Sequence, residues 1–398
     1  MKILIATEVI HPGGAETFLL RLSQSLHEKG HNITIFNFHG DIYNRELKSK
    51  IAPDVKVVCA TNPVGSLTRF VDSLFLKIGI DFSFRNYFIG KSLQRFLEAN
   101  KPEIIHSHLF KTDVICCKVA NENIPVVSTM HGDYAMYYNS ISQNEKPKLL
   151  DFKNKLKFVL QQLKSIVCIS KEQEIFFAQE MQSLSSTPLQ LTKIYNGYTA
   201  TENPEVTISR HTLNIPKDAF VFGMVARGIP AKGWEELIEA FTRLNKKNSF
   251  LVLVGGSDYV NKLQEKYKNN QQIIYSGTVT NPLEWIKLFD VGLLPSYFGS
   301  ESLPTVIMEY LYCHKPVIAT RIGEIPAMIE YEKQTAGLLV EIVNGRTDID
   351  QLHEKMLKVY TDKNTYNDLK NATTKCFEQF DMDRCVKAYE EIYKQHIF

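Results

Sequence analysis

Short apolar runs of strand length alternate with longer amphipathic segments along nearly the whole chain. The first run, Lys2 to Thr7, predicts a strand, and Ala15 to Lys29 predicts a helix because its apolar residues recur at helical spacing. Further strands of the first half are predicted at Ile33 to Phe38, Val55 to Cys59, Ile104 to His106, Val126 to Met130, Ser165 to Ile169 and Leu191 to Tyr195. This alternation is typical of a doubly wound α/β domain with a parallel sheet.

A second series of the same kind follows the polar, proline-containing stretch Thr199 to Ser209. Its helices are predicted at Trp234 to Leu244 and Thr305 to Leu311. Its strands are predicted at Val221 to Val225, Phe250 to Val254, Ile273 to Tyr275, Val291 to Leu294, Pro316 to Ala319 and Gly337 to Val340. A length of 398 residues also favours two domains. We predict domains at 1–200 and 201–380, and a final segment, 381–398, in which Asp383 to Gln395 forms an amphipathic helix.

Composition excludes several classes of protein. Lys and Arg number 46 against 44 Asp and Glu, a net charge of +2, which disfavours a nucleic-acid partner. The seven Cys residues show no C-x-x-C spacing, which favours free thiols in a reducing compartment. The apolar run Met1 to Ala6 is too short for a signal peptide, and no run approaches the roughly 18 apolar residues of a membrane span. We therefore expect a cytoplasmic protein.

Two carboxylates flank a predicted helix start. Pro304 suits the first turn of a helix, whose free backbone N–H groups attract an anion. Glu309 would follow about 7.5 Å along the helix axis, a distance suited to a ribose beside bound phosphates. Glu301, before the helix, would reach a hydroxyl of a sugar. The alternative interpretation is one loop carboxylate and one ordinary surface-helix carboxylate.

Arg227 and Lys232 lie between a predicted strand and the predicted helix at Trp234 to Leu244. Ligands of open α/β sheets bind outside the carboxyl ends of the strands, so these two cations are expected at a binding site. Two positive charges there would neutralise a diphosphate leaving group. The alternative is two solvated charges in a loop.

Three motifs of the first half lie at strand ends. Gly13 and Gly14 precede a helix, where glycine permits close backbone approach to a ligand; their spacing is not G-x-G-x-x-G, which disfavours a nicotinamide dinucleotide. The alternative for this pair is a bare tight turn. His131 is expected to face the cleft between the domains, although a lone histidine, like His106 and His108 nearby, is more often a structural hydrogen-bonding residue.

Together these motifs resemble those of the retaining glycosyltransferases of family four, which have the GT-B fold, an α/β architecture of two Rossmann-like doubly wound parallel-sheet domains facing a central cleft. The resemblance spans most of the chain and rests on the order and spacing of the motifs. It also includes Gly30-His31, Tyr195-Asn196-Gly197, Gly255-Gly256, Gly277, Pro295-Ser296 and Lys315-Pro316-Val317-Ile318-Ala319-Thr320.

In that family the C-terminal domain binds most of a nucleoside-diphosphate sugar, and the acceptor docks on the N-terminal domain. The resemblance implies catalytic roles for four residues, the first two at the diphosphate and the others at the donor sugar: Arg227, Lys232, Glu301 and His131. It implies that Glu309 holds the ribose and that Gly14 contacts the phosphates from across the cleft. The donor-binding candidates are Gly13, Gly14, Glu16, Asn196, Gly255, Gly277, Val279, Ser302, Leu303, Pro304 and Glu309.

The resemblance implies a retaining enzyme that moves a sugar from a nucleoside-diphosphate sugar, with UDP favoured, to a hydroxyl of a glycan or lipid-linked glycan in bacterial surface polysaccharide biosynthesis. No metal or other cofactor is expected, because the protein itself supplies the cations. Departures from the family pattern leave the donor sugar undefined: the usual Gly-Gly-x-Pro-Glu becomes Gly323-Glu324-Ile325-Pro326-Ala327, Thr199 stands where Asp is frequent, and the loop before Leu303 lacks Gly-Phe-Gly.

Two basic stretches indicate a lipid-linked acceptor. Arg69 to Arg95 mixes aromatic and basic residues, and Lys146 to Lys164 holds six Lys against one Asp. Such a surface can sit on anionic lipid, on the inner face of the plasma membrane; the alternative is core aromatics plus a solvated helix face. Three other functions stay open: a sugar-nucleotide 2-epimerase of GT-B fold, a phosphorylase, for which no pyridoxal-phosphate lysine is identified, and a non-catalytic carbohydrate-binding protein, which would need neither Arg227 nor Lys232.

Overall fold

The computed structural model describes residues 1–61, 71–72, 83–120, 124–132, 146–182, 184, 189–200 and 208–397. The chain divides into two compact units. The first comprises Met1–Thr201 together with Asp381–Phe398, and the second comprises Glu202–Phe380. Much of the predicted stretch Thr199 to Ser209, and Phe70, Phe75, Lys77 and Phe82 of the first basic stretch, lie outside the described residues.

The first unit is built on a parallel sheet with strand order β3-β2-β1-β4-β5-β6-β7. Its strands are β1 Lys2–Thr7, β2 Asn32–Asn37, β3 Lys56–Cys59, β4 Ile104–His108, β5 Val126–Met130, β6 Ser165–Cys168 and β7 Gln190–Lys193. The helices before β7 are α1 Gly14–Glu28, α2 Arg45–Ile51, α3 Phe84–Asn100, α4 Phe110–Val119, α5 Lys146–Gln162 and α6 Lys171–Gln182. The chain order reverses between β1 and β4, which is where open α/β sheets bind ligands.

The strands of this sheet are apolar on both faces because helices cover both. Ile3 and Ile5 of β1 join one buried cluster, and Leu4 and Ala6 join another on the opposite face. Alternate side chains of a strand point to opposite faces, so a near-continuous apolar run is the pattern that such a sheet requires. The sequence therefore revealed these strands clearly.

The second unit holds a parallel sheet of order β10-β9-β8-β11-β12-β15 and two antiparallel pairs, β13-β14 and β16-β17. Its strands are β8 Phe220–Val225, β9 Ser249–Val254, β10 Ile273–Tyr275, β11 Val291–Leu294, β12 Val317–Thr320, β13 Glu330–Tyr331, β14 Gln334–Thr335, β15 Gly337–Val340, β16 Ile342–Val343 and β17 Arg346–Thr347. Its helices are α7 Trp234–Leu244, α8 Asp258–Lys266, α9 Pro282–Leu288, α10 Thr305–Tyr312, α11 Ile325–Met328, α12 Ile349–Thr361 and α13 Lys363–Phe377, with 3-10 turns at Pro230–Lys232 and Glu378–Phe380.

The last helix, α14 Met382–Ile397, belongs to the first unit. Its Val386, Tyr389 and Tyr393 are fully buried in the same cluster as Phe18 and Leu22 of α1. The core of the first unit is therefore completed by residues that follow the whole second unit in the chain.

The predicted fold class of two Rossmann-like α/β domains is confirmed. Two strands differ most from their predicted ends: β7, predicted at Leu191 to Tyr195, spans Gln190–Lys193, and β4, predicted to end at His106, extends to His108. Ser107 and His108 pair with Ser128 and Thr129 of β5. The Ser107 and Ser128 hydroxyls both donate to Asp113 Oδ1, and His108 contacts His131, so the strand continues past its apolar part. Among the described residues, none of the helices is long and apolar enough to cross a bilayer.

Candidate active site

The charged residues predicted in the second unit lie at the carboxyl ends of neighbouring parallel strands. Arg227 and Lys232 follow β8, and Glu301 follows β11, which pairs with β8. Carboxyl ends of parallel strands meet at one edge of a sheet, so these loops are brought to the same edge. The strand topology accordingly gathers residues that lie far apart in the sequence.

Lys232 and Glu301 form a buried ion pair. The Lys232 Nζ contacts Glu301 Oε2 directly, and the two side chains are only 9% and 8% exposed. The Ser296 hydroxyl donates to the same Glu301 oxygen at 2.7 Å. A buried charge is costly without a partner. The hydroxyl therefore helps to fix the carboxylate, and the carboxylate holds the ammonium in one position.

Arg227 and Lys232 share an aromatic neighbour. The Arg227 Cζ lies 5.3 Å from the centre of the Phe298 ring, and the Lys232 Nζ lies 5.0 Å from it. Arg227 is exposed and has no carboxylate partner among the described residues. The ring therefore brings an exposed guanidinium and a buried ammonium together at one patch, and only the ammonium is paired with a carboxylate there.

The loop that carries both cations is fixed by its backbone. The Trp234 indole N–H donates to the Arg227 carbonyl at 2.9 Å, and Trp234 is fully buried. Between the cations and this anchor, Gly233 has a φ of +77°, and a Cβ there would lie 2.0 Å from the Pro295 carbonyl oxygen. The close approach of the two strand-end loops thus requires glycine at this position.

The predicted helix start is present at Pro304. Ser302, Leu303 and Pro304 are buried, and α10 follows, with Glu309 partly buried in its second turn. The Tyr310 hydroxyl donates to the Leu293 carbonyl at 3.1 Å and accepts from the Val225 N–H at 2.9 Å, which fixes α10 to β11 and β8. Burial raises the pKa of this phenol far above its ordinary value.

Three further donor-binding candidates lie beyond the ends of β9 and β10. The Gly255 N–H donates to the Gly277 carbonyl at 3.0 Å, and Val279 follows in a partly exposed position. These backbone segments extend the same edge of the sheet to the side away from β11. Their assignment to the donor stays a prediction.

In the first unit, His131 follows β5 and contacts a second histidine. Its Nε2 lies 2.9 Å from the Nδ1 of His108, the last residue of β4. The next imidazole, His106, bonds through Nε2 to the Thr129 hydroxyl and through Nδ1 to the Tyr393 hydroxyl, at 2.8 and 2.7 Å. Burial lowers the pKa of His131 to about 4 and that of His106 to about 3.

The glycine pair of the first unit lies at the start of α1. The helix begins at Gly14, and the Glu16 carboxylate folds back over Gly13, where an added Cβ would lie 2.3 Å from Glu16 Oε2. Glu16 Oε1 lies 3.6 Å from His11 Nε2. A carboxylate thus occupies the positive end of this helix, a favourable arrangement.

Asn196 packs next to the last helix. Its side chain is 7% exposed, and its Oδ1 has no hydrogen-bond partner among the described residues. The adjacent Gly197 lies against α14, where a Cβ would approach Cys385 Cβ to 2.8 Å. The Asn-Gly pair therefore sits where the strand region meets the C-terminal helix of this unit.

The second unit thus brings Arg227, Lys232 and Glu301 together, and in the first unit His131 packs against Phe18 of α1, the helix that follows Gly13. Sequence reasoning did not assign Phe298 or Ser296 a role in the site. Both lie in the loop after β11, and a short loop carries no periodic signal that distinguishes a ligand-facing residue from a solvated one. Chemically, the patch in the second unit offers two cations and a neighbouring helix start to an anion.

Comparisons with known proteins identify the family of the chain. The family described as Glycosyltransferase Family 4 matches residues 12–200, and the family described as Glycosyl transferases group 1 matches residues 205–376. The chain is 25% identical to an Escherichia coli UDP-Gal:alpha-D-GlcNAc-diphosphoundecaprenol alpha-1,3-galactosyltransferase, over 85% of this chain and 88% of the relative. It is 22% identical to the N-acetyl-alpha-D-glucosaminyl L-malate synthase of Bacillus anthracis, over 77% and 78%.

Among solved structures, the chain is similar to HepE of Anabaena in complex with UDP and glucose, with a TM-score of 0.73, 19% identity and 98% of each chain covered. A likeness at this identity concerns the fold. Taken with the two family matches, which between them run from residue 12 to residue 376 with a short gap, it shows that the chain belongs to the family-four type of glycosyltransferases with the GT-B fold.

Proposed function

We propose that this glycosyltransferase moves a sugar from a nucleoside-diphosphate sugar, with a UDP-sugar preferred, to a hydroxyl of a glycan or lipid-linked glycan, with retention of the anomeric configuration. Relatives support the donor and acceptor classes. The Escherichia coli relative carries UDP-Gal and a diphosphoundecaprenol acceptor in its name, and a Campylobacter jejuni relative, 28% identical over 54% of the chain, also has a diphospho-undecaprenol acceptor in its name. We place the reaction in bacterial surface polysaccharide biosynthesis.

The observation that carries this proposal is the pair of cations at Phe298. As the bond between the anomeric carbon and the phosphate oxygen breaks, negative charge collects on the departing diphosphate, and the sugar becomes oxocarbenium-like. Arg227 has no carboxylate partner among the described residues and is exposed, so it is available to an incoming phosphate. Lys232 is held in place by Glu301 and adds a second charge. Fixed cations lower the barrier because they need no reorganisation during the reaction.

The remaining roles are proposed from the resemblance to the family. Glu301 reaches the donor sugar while keeping Lys232 in place, Glu309 binds the ribose from α10, and His131 donates or accepts one hydrogen bond to a sugar hydroxyl. In this proposal the protein's own cations carry the phosphate charge, and no resident metal is invoked. The acceptor hydroxyl forms its bond to the anomeric carbon on the face that the diphosphate leaves, and its proton passes to the departing diphosphate oxygen.

We also propose peripheral attachment to an anionic membrane surface at the cytoplasmic side. A cavity of about 390 Å³ in the first unit is lined by Tyr87 and Lys91 of α3, Lys118 of α4 and Lys155 of α5, among others. Parts of the two basic stretches therefore meet at one groove, and Tyr87 is 49% exposed there. An aromatic ring among lysines suits the headgroup region of anionic lipid.

The experiment is donor hydrolysis by the purified full chain with a panel of UDP- and GDP-sugars, measured as release of the nucleoside diphosphate. Arg227→Ala is the primary variant, because Arg227 is exposed and its loss leaves no buried charge behind. We expect release to fall about 10²–10³-fold, the usual cost of removing one preorganised group that stabilises transition-state charge. Lys232→Ala should also slow release, but it strands the Glu301 carboxylate and needs a thermal-unfolding check.

The matched control is Lys247→Ala, an exposed lysine of the second unit that lies just before β9, at the amino end of the strands, whereas the loops of the site follow the carboxyl ends. It should leave release unchanged. Unchanged release in the Arg227→Ala, Lys232→Ala double variant would refute the diphosphate site. Epimerised sugar nucleotide as the product, or binding without any turnover, would refute the transferase reaction itself.

A further inference from the structure

His108 and His131 form a stacked pair at the ends of two neighbouring strands. Their ring planes differ by 14°, their centroids lie 5.2 Å apart, and His108 Nδ1 faces His131 Nε2 at 2.9 Å. His108 is 1% exposed, whereas His131 is partly exposed. Neither ring is paired with a carboxylate among the described residues. The buried His108 thus contacts Nε2 of His131, and Nδ1 of His131 remains available to a ligand.

Both rings are neutral near pH 7. Burial lowers the pKa of His131 to about 4, and burial together with the neighbouring imidazoles lowers that of His108 well below its ordinary value. A neutral imidazole carries one N–H and one bare nitrogen, so the contact at 2.9 Å requires one ring to donate and the other to accept.

The surroundings of His108 decide the direction of that bond. Its Nε2 is buried and has no hydrogen-bond partner among the described residues. If His131 donated, His108 would carry its proton on Nε2, as an orphaned buried N–H, which is the rarer kind of unsatisfied group in proteins. The favoured arrangement has His108 donating from Nδ1 to His131 Nε2.

We infer that His108 is a positioning residue that fixes His131 as the Nδ1–H tautomer, so that His131 presents a single hydrogen-bond donor to an oxygen of the bound ligand. This inference rests on the proposed function for the identity of that ligand, a donor-sugar hydroxyl. Phe18 supports the arrangement because its ring lies 5.9 Å from that of His131 in an edge-on geometry and restricts rotation of the imidazole. His108 itself touches no substrate; it acts through His131.

The test is nitrogen NMR of the full chain labelled with ¹⁵N-histidine, recorded at pH 7 without any donor. The His131 signals are assigned by their disappearance in His131→Gln. We expect them to report the Nδ1–H tautomer, neutral from pH 7 down to pH 5. A His131 in the Nε2–H form, a rapid exchange of both forms, or a ring protonated at pH 6 would overturn the inference.

Substitution of His108 provides the second readout. His108→Leu should release His131 from the Nδ1–H form and raise the donor KM about tenfold or more, whereas His108→Asn keeps a side-chain N–H near the Nδ1 position and should restore much of the affinity. The control is Thr112→Val, which replaces a buried hydroxyl without a hydrogen-bond partner in the same unit and should change neither spectrum nor KM. Equal KM values for the Leu and Asn variants would contradict a positioning role.

The tautomer of His131 is measured in the absence of substrate. The positioning role of His108 and the contact of His131 with the donor sugar can therefore be refuted independently. If His131 shows the expected tautomer but His131→Gln leaves diphosphate release and KM unchanged, the proposed contact to the donor sugar is wrong. If release depends on His131 while the tautomer differs, the positioning role of His108 is wrong.

Discussion

The charged patch of the second unit is formed by contacts between single residues, because its charged groups come from segments far apart in the chain. Lys232 and Glu301 are 69 positions apart yet meet in a buried ion pair. The sequence placed each of them at a strand end, since apolar runs and a helix-starting proline mark those points. Their contact, the Ser296 hydroxyl and the Phe298 ring were beyond prediction, because the path of a loop depends on tertiary packing.

Gly233 provides a stringent test at the residue scale. Gly233→Ala should destabilise the second unit by well over 2 kcal/mol, because left-handed backbone costs about 1–2 kcal/mol with a Cβ and the Pro295 oxygen would lie 2.0 Å from it. The matched control is Gly345→Ala, with a φ of +74° and nothing within 4 Å, which should cost only the backbone part. Thermal unfolding followed by Trp234 and Trp285, both in this unit, measures the difference. Equal losses in the two variants would show that the close approach is relieved elsewhere.

Elements were predictable where their hydrophobic pattern was long enough. Strands such as Val126–Met130 and Val291–Leu294 match the predicted bounds because both faces of the sheet are covered and every residue is apolar or small. The two-residue strands Glu330–Tyr331 and Arg346–Thr347 escaped prediction, since two residues carry no periodicity. His108 lies beyond the predicted end of β4 because the polar side chains there contact buried partners such as Asp113 and His131, which the hydrophobic pattern does not reveal.

Lysines of α3 and α4 provide a test of the proposed membrane attachment. Lys91→Gln together with Lys118→Gln should weaken binding to vesicles of anionic lipid about tenfold to thirtyfold, because each lysine near such a surface contributes about 1 kcal/mol. Cosedimentation with vesicles at low salt measures the change. The control pair is Lys217→Gln with Lys247→Gln, because both lysines are exposed and belong to the second unit. Equal sedimentation with and without anionic vesicles for the unaltered chain would end the membrane proposal.

At the scale of the whole molecule, the pH dependence of folding is affected by buried titratable groups of the first unit, and these groups act in opposite directions. Burial lowers the pKa values of His106 and His131 to about 3 and about 4, while burial raises that of Asp113 to about 7. Asp113 accepts from the Ser107 and Ser128 hydroxyls, at 2.5 and 2.7 Å. The histidines favour folding at higher pH and the carboxyl group favours it at lower pH, so the two contributions partly cancel.

Substitution of His106 separates its contribution to the pH dependence of folding from that of Asp113. Between pH 6.5 and 4 the unfolded chain protonates His106 and the folded chain does not, so this residue's stabilising effect is complete above pH 6.5 and is lost as the pH falls. The cost of His106→Gln should therefore be smaller at pH 5 than at pH 7, by about 1–2 kcal/mol, since each pKa unit is worth about 1.4 kcal/mol. Urea unfolding followed by near-ultraviolet circular dichroism measures the cost, with Lys217→Gln as control. The same cost at both pH values would mean that the His106 ring is protonated in the folded state.

The chain path through the two units has a consequence for synthesis on the ribosome. The second unit has all of its own strands once Phe380 has been made, whereas the sheet of the first unit still lacks the tyrosines of Met382–Ile397 that close one of its faces. The half that is translated first is therefore the half that matures last, and its uncovered apolar face must stay protected from aggregation while the intervening residues emerge.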